Sequence, residues 1–205
     1  MRAFNFDPDK HLYTWADTGE EIPSVTQVIK RAGLSSLDGI PAEALRIAGE
    51  RGTNVHLATA LYDTDTLDTI DPLHQPYLDA WKMFREAFKI NFEPEEIELQ
   101  LVSEKYNFAG GLDRYKVKDN MLWVPDIKSG SKVYKTTGIQ LGGYEILLKE
   151  NFPELEKYPC ERVAVQLKKT GKFQLHHFNE DYYPARFLKC LSGNLTPEEI
   201  ESWKA

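Results

Sequence analysis

The chain has 205 residues, 41% hydrophobic and 28% charged, a mixture that suits one compact globular domain and excludes a disordered or fibrous chain. Its net charge of -7 argues against a protein that coats DNA through overall positive charge, but leaves room for a local basic groove beside acidic metal ligands. No apolar run reaches the roughly 18 residues of a membrane span, and the first ten residues lack the apolar core of a secretory signal.

In chain order, residues 11–16 read as a short strand, with turn character at Thr18–Glu21 and a second short strand after it. Ser24 and Gln27 have the spacing of a capping box, so a helix is expected from Val25 to Gly33. Pro41 opens a helix over about 41–62. Gly49, Gly52, His56 and Ala60 form one stripe on it, which predicts a helix pressed against a sheet edge with His56 aimed at that edge. Pro72 opens a third helix to Ile90, with Tyr77, Trp81, Phe84 and Phe88 as its core stripe. Strands are expected over 95–104, 107–117 and 121–128, then a helix over 137–149. A hairpin of strands 161–169 and 172–178 follows, turning at Lys169-Thr170-Gly171. Helices from Tyr182 to Leu191 and from Pro197 onward close the chain. The expected organisation is one domain over 1–205: a hairpin and helices over 1–92, a catalytic core over 93–178 and C-terminal helices over 179–205.

The chemistry concentrates between Glu98 and Tyr144. Asp126 and Lys128 are two apart on one strand and so share a face. Asp113, on the strand before, comes beside them if the two strands pair antiparallel. Two carboxylates about 4 Å apart repel by roughly 4 kcal/mol at an effective dielectric near 20. Either a proton or a divalent cation must offset that term, and oxygen ligands with open water positions suit magnesium. A nearby lysine can stabilise charge developing on a phosphate. Gln140 and Tyr144, four apart, share one helix face. Lys105–Lys135 holds seven Lys/Arg against three Asp, whereas Glu43–Glu104 is acid-rich and is expected to face solvent. Lys132, Lys135 and Tyr134 follow the active strand and are candidates to line the path of a DNA strand. His176 and His177 alternate in a strand and read as structural. Cys160 and Cys190 read as free packing thiols in a reducing cytosol.

These motifs, taken together, resemble the PD-(D/E)XK nuclease superfamily and, within it, the RecB-like exonuclease branch. The matching pieces are Gly52-Thr53-Asn54-Val55-His56, Glu98, Gly111-Leu112-Asp113, Asp126-Ile127-Lys128 and Gln140-Leu141-Gly142-Gly143-Tyr144. Pro23-Ser24-Val25-Thr26 is similar to mitochondrial genome maintenance exonucleases and small phage exonucleases. The literal Pro-Asp of the superfamily's name is Leu112-Asp113 here, and Asp126 stands where glutamate is common.

The resemblance implies an α/β (α+β) fold: a restriction-endonuclease-like core with a mixed central sheet flanked by helices, and an N-terminal helical arch over 24–92. It implies Mg2+ or Mn2+ held by Asp113, Asp126 and the Ile127 carbonyl, with His56 as a further ligand or orienting group. Lys128 would hold the attacking water, and Gln140 and Tyr144 would position Lys128 or the DNA backbone. Motif spacing favours Glu98 as the glutamate of the set, although Glu104 shares its strand parity. The cysteines of an iron–sulfur cluster are absent from the pattern, so no such cluster is expected. The function implied is a cytoplasmic, metal-dependent deoxyribonuclease that degrades single strands or duplex ends in recombination, replication or repair, in the manner of phage enzymes. A recombinase or single-strand-binding protein is its expected partner, and no membrane is. The alternatives are an inactive nucleic-acid-binding module of the same fold and a structure-specific endonuclease.

Overall fold

The structure is a computed structural model that describes residues 2–34 and 39–204. Part of the expected arch, residues 35–38, lies outside them. The architecture is mixed α and β, with six α-helices and three sheets among the described residues.

The chain opens with an antiparallel meander of β1 (Phe4–Asp7), β2 (Leu12–Trp15) and β3 (Glu21–Ile22). The first strand is absent from the sequence reading: Phe4 and Phe6 alternate with Asn5 and Asp7 over only four residues, and β2 holds it in register from Phe4↔Trp15 to Asp7↔Leu12. Tyr13, Trp15 and Ile22 pack on Val102 and Ala109, so the meander sits on the next hairpin. The capping box forms as expected: Ser24 Oγ accepts from Gln27 N at 3.2 Å, and Gln27 Oε1 accepts from Ser24 N at 3.0 Å. It starts α1 (Val25–Arg31).

Helix α2 (Ala42–Asp63) matches the sequence expectation, but its glycine stripe does not. A Cβ built at Gly49 or Gly52 meets nothing within 4 Å, so the small residues do not admit another backbone. Gly52, His56 and Ala60 instead line an open cleft. Helix α3 (Gln75–Phe88) begins later than expected. Pro72 belongs to a turn in which Asp71 Oδ1 accepts from Leu73 N at 2.8 Å, and Pro76 is the proline in the first helical turn. Of the expected stripe Tyr77, Trp81 and Phe84 are buried and Phe88 is half-buried, and a left-handed Lys89 (φ 48°) ends the helix.

The central strands correct the sequence reading most. β4 (Ile97–Ser103) and β5 (Phe108–Arg114) form their own antiparallel pair. The expected strand over 107–117 breaks at Tyr115. β6 (Lys116–Lys118) then joins a second sheet in the order β6-β7-β8-β9, with β7 (Met121–Lys128), β8 (Cys160–Leu167) and β9 (Phe173–His177). Thus the strand of Asp113 is not ladder-paired with that of Asp126. β7 and β8 run parallel, from Leu122↔Cys160 to Lys128↔Gln166, and α4 (Thr136–Asn151) is their crossover. Arg162 of β8 pairs with Glu145 of α4, whose other oxygen takes Lys149 Nζ at 2.7 Å, fixing the crossover on the sheet.

Two layers cover the sheets. On one side α1, α4 and α5 (Tyr182–Ser192) share a core with Leu122, Val124 and Ala164. On the other side Val55, Trp81 and Phe84 of α2 and α3 pack on Ile127, Val163 and Val165. Alternate residues of β7 and β8 therefore face opposite cores, as a central strand pair requires. Gly193 (φ 71°) closes α5, and α6 (Pro197–Lys204) returns Trp203 to the core. Cys160 and Cys190 are both free thiols. Among the described residues no helix is long and apolar enough to cross a membrane.

Candidate active site

The site forms where β5 and β7 diverge. Because no ladder joins them there, the side chain of Asp113 fills the gap: its Oδ2 accepts from the backbone N–H of Ile127 at 2.6 Å. The other oxygen, Oδ1, faces His56 Nδ1 at 3.2 Å. His56 Nε2 lies 3.0 Å from the Ile127 carbonyl and donates to it. One imidazole therefore spans from α2 to both strands. The Ile127 oxygen keeps a second lone pair beyond the one His56 uses.

Glu98 reaches the same place by an unusual route. Its backbone is left-handed (φ 50°), and the paired register of β4 and β5 skips it, from Ile97↔Arg114 to Leu99↔Leu112. The strand twists locally and turns the carboxylate toward His56, whose Nδ1 is 4.0 Å from Glu98 Oε1. Simple strand alternation, which puts Glu104 and Glu98 on one face, therefore does not hold across this residue. Glu104 sits at the β4–β5 turn, where its carboxylate accepts from Arg2 N at 2.5 Å. His56, Glu98 and Asp113 each offer a ligand atom, and those atoms lie within 4.8 Å of one another.

Asp126 and Lys128 project from the same face of β7, as their spacing predicts. Asp126 is almost closed off from solvent, with 4% of its side chain exposed, and its Oδ2 lies 2.7 Å from Lys128 Nζ. The interaction is an ion pair rather than a directed hydrogen bond. Lys128 Nζ also donates to Gln140 Oε1 at 3.2 Å, and Gln140 Nε2 donates to the Tyr144 hydroxyl at 2.8 Å. The two α4 residues thus act as a relay that holds the ammonium group. Gly110, flush against Tyr144 and Leu147, lets α4 approach this closely: an added Cβ would come within 3.1 Å of the Tyr144 ring.

Charge in the cluster is unevenly balanced. Burial works against the imidazolium of His56, but Asp113, Glu98 and Asp126 outweigh it and lift its pKa to about 9. Burial, reinforced by Asp113, pushes Glu98 up to about 7 against the pull of His56 and Arg114. Burial also raises Asp126, even with Lys128 beside it. Asp113 goes the other way, because His56, Lys128 and the Ile127 N–H outweigh its burial. Lys128 is raised as its two carboxylate neighbours overcome its own burial.

Sequence reasoning misses the support beneath the site. Arg114, fully buried, donates from Nε to Asp63 Oδ2 at 2.8 Å and from its terminal nitrogen to Glu98 Oε1 at 3.1 Å. Asp63 Oδ1 accepts from Arg85 at 2.7 Å and from the Trp81 indole at 2.9 Å. Asp63 falls in the acid-rich stretch expected to face solvent, yet its side chain is 0% exposed. The one signal in the sequence is Arg114 directly after Asp113, and its partner lies 51 residues away.

The cleft beside this cluster has a volume of about 500 Å³ and is lined by Gly52, His56, Glu98, Asp113 and Tyr144, with Ser24 and Thr26 on the opposite wall. Lys132, Tyr134 and Lys135 lie beyond β7, outside the lining. Lys132 Nζ sits 4.9 Å over the Tyr134 ring, which occupies one face of the ring that base stacking would need. His176 meets Gln166 at 3.1 Å and His177 meets Glu161 at 2.6 Å, both in structural pairings.

No protein-family model matches this chain, and no curated protein does. Among solved structures, the chain is similar to a provisionally named exonuclease from Eubacterium rectale, with a TM-score of 0.46 and 12% identity, over 71% of this chain and 69% of that one. The functional reading stands on the geometry of the site.

Proposed function

We propose that the protein is a divalent-metal-dependent deoxyribonuclease of the PD-(D/E)XK type, RecB-like branch, that degrades DNA from its ends. The observation that carries this reading is the meeting of Asp113, Glu98 and His56 at one point, with the Asp126–Lys128 pair on the adjoining strand. Three donor atoms within 4.8 Å, two of them carboxylate oxygens, suit Mg2+ or Mn2+. The donor set fits such a cation for a second reason: on top of burial, Asp113 raises the pKa of both Glu98 and Asp126, so the carboxylates repel one another where a cation would sit. Asp113, Glu98 and His56 would hold the cation, with Asp126 and the Ile127 carbonyl next to them. When bound, it supplies Lewis-acid polarisation of the phosphodiester.

The chain's own residues do the rest. Lys128, an ammonium group tethered by Gln140, offsets negative charge that develops on the phosphate and orients a water beside it. Tyr144 fixes Gln140 and so fixes Lys128. Gly52 carries no side chain over the cleft, and a Cβ built there meets nothing within 4 Å, which leaves room for a sugar–phosphate backbone beside His56.

The test is degradation of end-labelled linear single- and double-stranded DNA and of covalently closed circles, with Mg2+ or Mn2+, by wild type and Lys128→Ala. The expected result is cleavage of linear DNA by wild type, resistance of circles, and a drop of at least about 100-fold in Lys128→Ala, in the range of a removed charge-stabilising donor. Cleavage of circles would move the assignment to an endonuclease. Inertness of wild type across both metals and all substrates would sink the proposal.

A further inference from the structure

A second concavity, of about 490 Å³, also touches α2, at Arg51, and shares no lining residue with the cleft. Its walls are Arg51 of α2, Ser129 and Ser131 just after Lys128, Gln166 of β8, and Lys168 and Lys169 of the β8–β9 hairpin. The chain carries a net charge of -7, yet no Asp or Glu lines this pocket and three cations do. Among the described residues none of the three makes an ion pair. Lys168 Nζ donates only to the neutral Gln174 Oε1, at 2.6 Å. The Nε of Arg51 is buried with no hydrogen-bond partner, a donor that a protein ordinarily satisfies. The loop bearing the serines is fixed, because Gln166 Nε2 donates to the Gly130 carbonyl at 2.8 Å. Fixed donors and uncompensated positive charge in a concave surface are what binds a phosphate oxygen.

We propose that this pocket binds a phosphate of the nucleic-acid strand whose cleavage is assigned to the neighbouring cleft, an inference that rests on that reading for the strand's identity. Arg51 precedes His56 by five residues, about 7.5 Å along the helix axis. That is the rise of about two stacked nucleotides of one strand. A strand passing α2 near its glycines thus reaches both the cleft and the pocket, and the pocket sets how far the strand advances past Lys128.

The test is binding of a fluorescein-labelled single-stranded oligonucleotide over a salt series, in EDTA so that no strand is cut. Wild type is compared with Arg51→Gln/Lys168→Gln/Lys169→Gln. The triple variant is expected to bind at least about tenfold more weakly at low salt, with a log–log salt slope shallower by about 0.7 for each phosphate that the pocket no longer neutralises. Oligonucleotides with and without a 5′ phosphate separate the sources: an equal weakening marks an internal backbone phosphate, and a weakening confined to the phosphorylated strand marks a terminal one. Unchanged affinity and slope would overturn the proposal. Should the triple variant fail to fold, Lys168→Glu/Lys169→Glu on the hairpin carries the same comparison. Wild type that cuts no DNA, beside a triple variant that binds DNA weakly, would remove the nuclease reading and keep the pocket. Wild type that cuts DNA, beside a triple variant with an unchanged slope, would do the reverse.

Discussion

The side chains beneath the site carry as much structural weight as those within it. Asp63, itself closed to solvent, gathers two guanidinium groups and an indole N–H. A buried ion pair adds little over apolar packing, but removing one member strands the other. Asp63→Ala leaves Arg114 and Arg85 facing each other without their shared carboxylate, so a destabilisation of about 3–5 kcal/mol in urea unfolding is expected. Arg114→Met costs less, at the low end near about 3 kcal/mol, because Arg85 still neutralises Asp63 at 2.7 Å. A larger destabilisation for Arg114→Met than for Asp63→Ala would contradict this account. Arg114→Met should also release Glu98, which it holds at 3.1 Å, and weaken binding of Mn2+ beyond the change in stability.

At the scale of elements, the glycines divide into two kinds. On α4, Gly142 lies against the backbone of α5: a Cβ there would be 2.5 Å from the Tyr183 carbonyl carbon, which cannot swing aside. Gly142→Ala is expected to destabilise by about 1–3 kcal/mol, the cost of overpacking. On α2, Gly49 meets nothing within 4 Å, so Gly49→Ala is expected to stabilise by up to about 1 kcal/mol through helix propensity alone. Thermal melts of the two variants should move in opposite directions, and a shift of the same sign in both would refute the distinction. Sequence patterns make the local elements legible: the Ser24–Gln27 box, the aromatic stripe of α3 and the strand carrying Asp126 and Lys128 all lie where their spacing puts them. What stays illegible depends on distant parts of the chain. Pro72 and Pro76 satisfy the same helix-start preference, and only the Asp71 turn selects the second. The break at Tyr115 arises from the divergence of two sheets, which no local pattern encodes. Motif spacing picks out Glu98, yet the left-handed backbone that aims it defeats the parity argument that also admits Glu104.

At the scale of the molecule, the candidate site draws on four elements that meet only in the folded chain: α2, β4, β5 and β7. A cation held there would tie one helical layer, through His56 of α2, to two of the sheets, and would bind only the folded state. At about a hundred times its dissociation constant, such a ligand adds about 2.7 kcal/mol. Mn2+ is therefore expected to raise the melting temperature of wild type and not that of Asp113→Asn, which lacks the carboxylate common to the Ile127 and His56 interactions. An equal rise in both proteins would place the ion elsewhere. Sequence alone brings Asp113, Asp126, Lys128 and His56 into one hypothesis. Their meeting depends on pairings as far apart as His56 and Ile127, 71 residues along the chain, and on a register that propensity does not set.

Helix α2 holds His56 over the cleft and, two turns on, sinks Asp63 beneath it. Lifting that helix strips the acids of their imidazole and Arg114 of its counter-charge in a single event. Scaffold and site are thereby tied to one latch, and a chain that has begun to come apart would lose its cluster of donors and its buried ion pairs together.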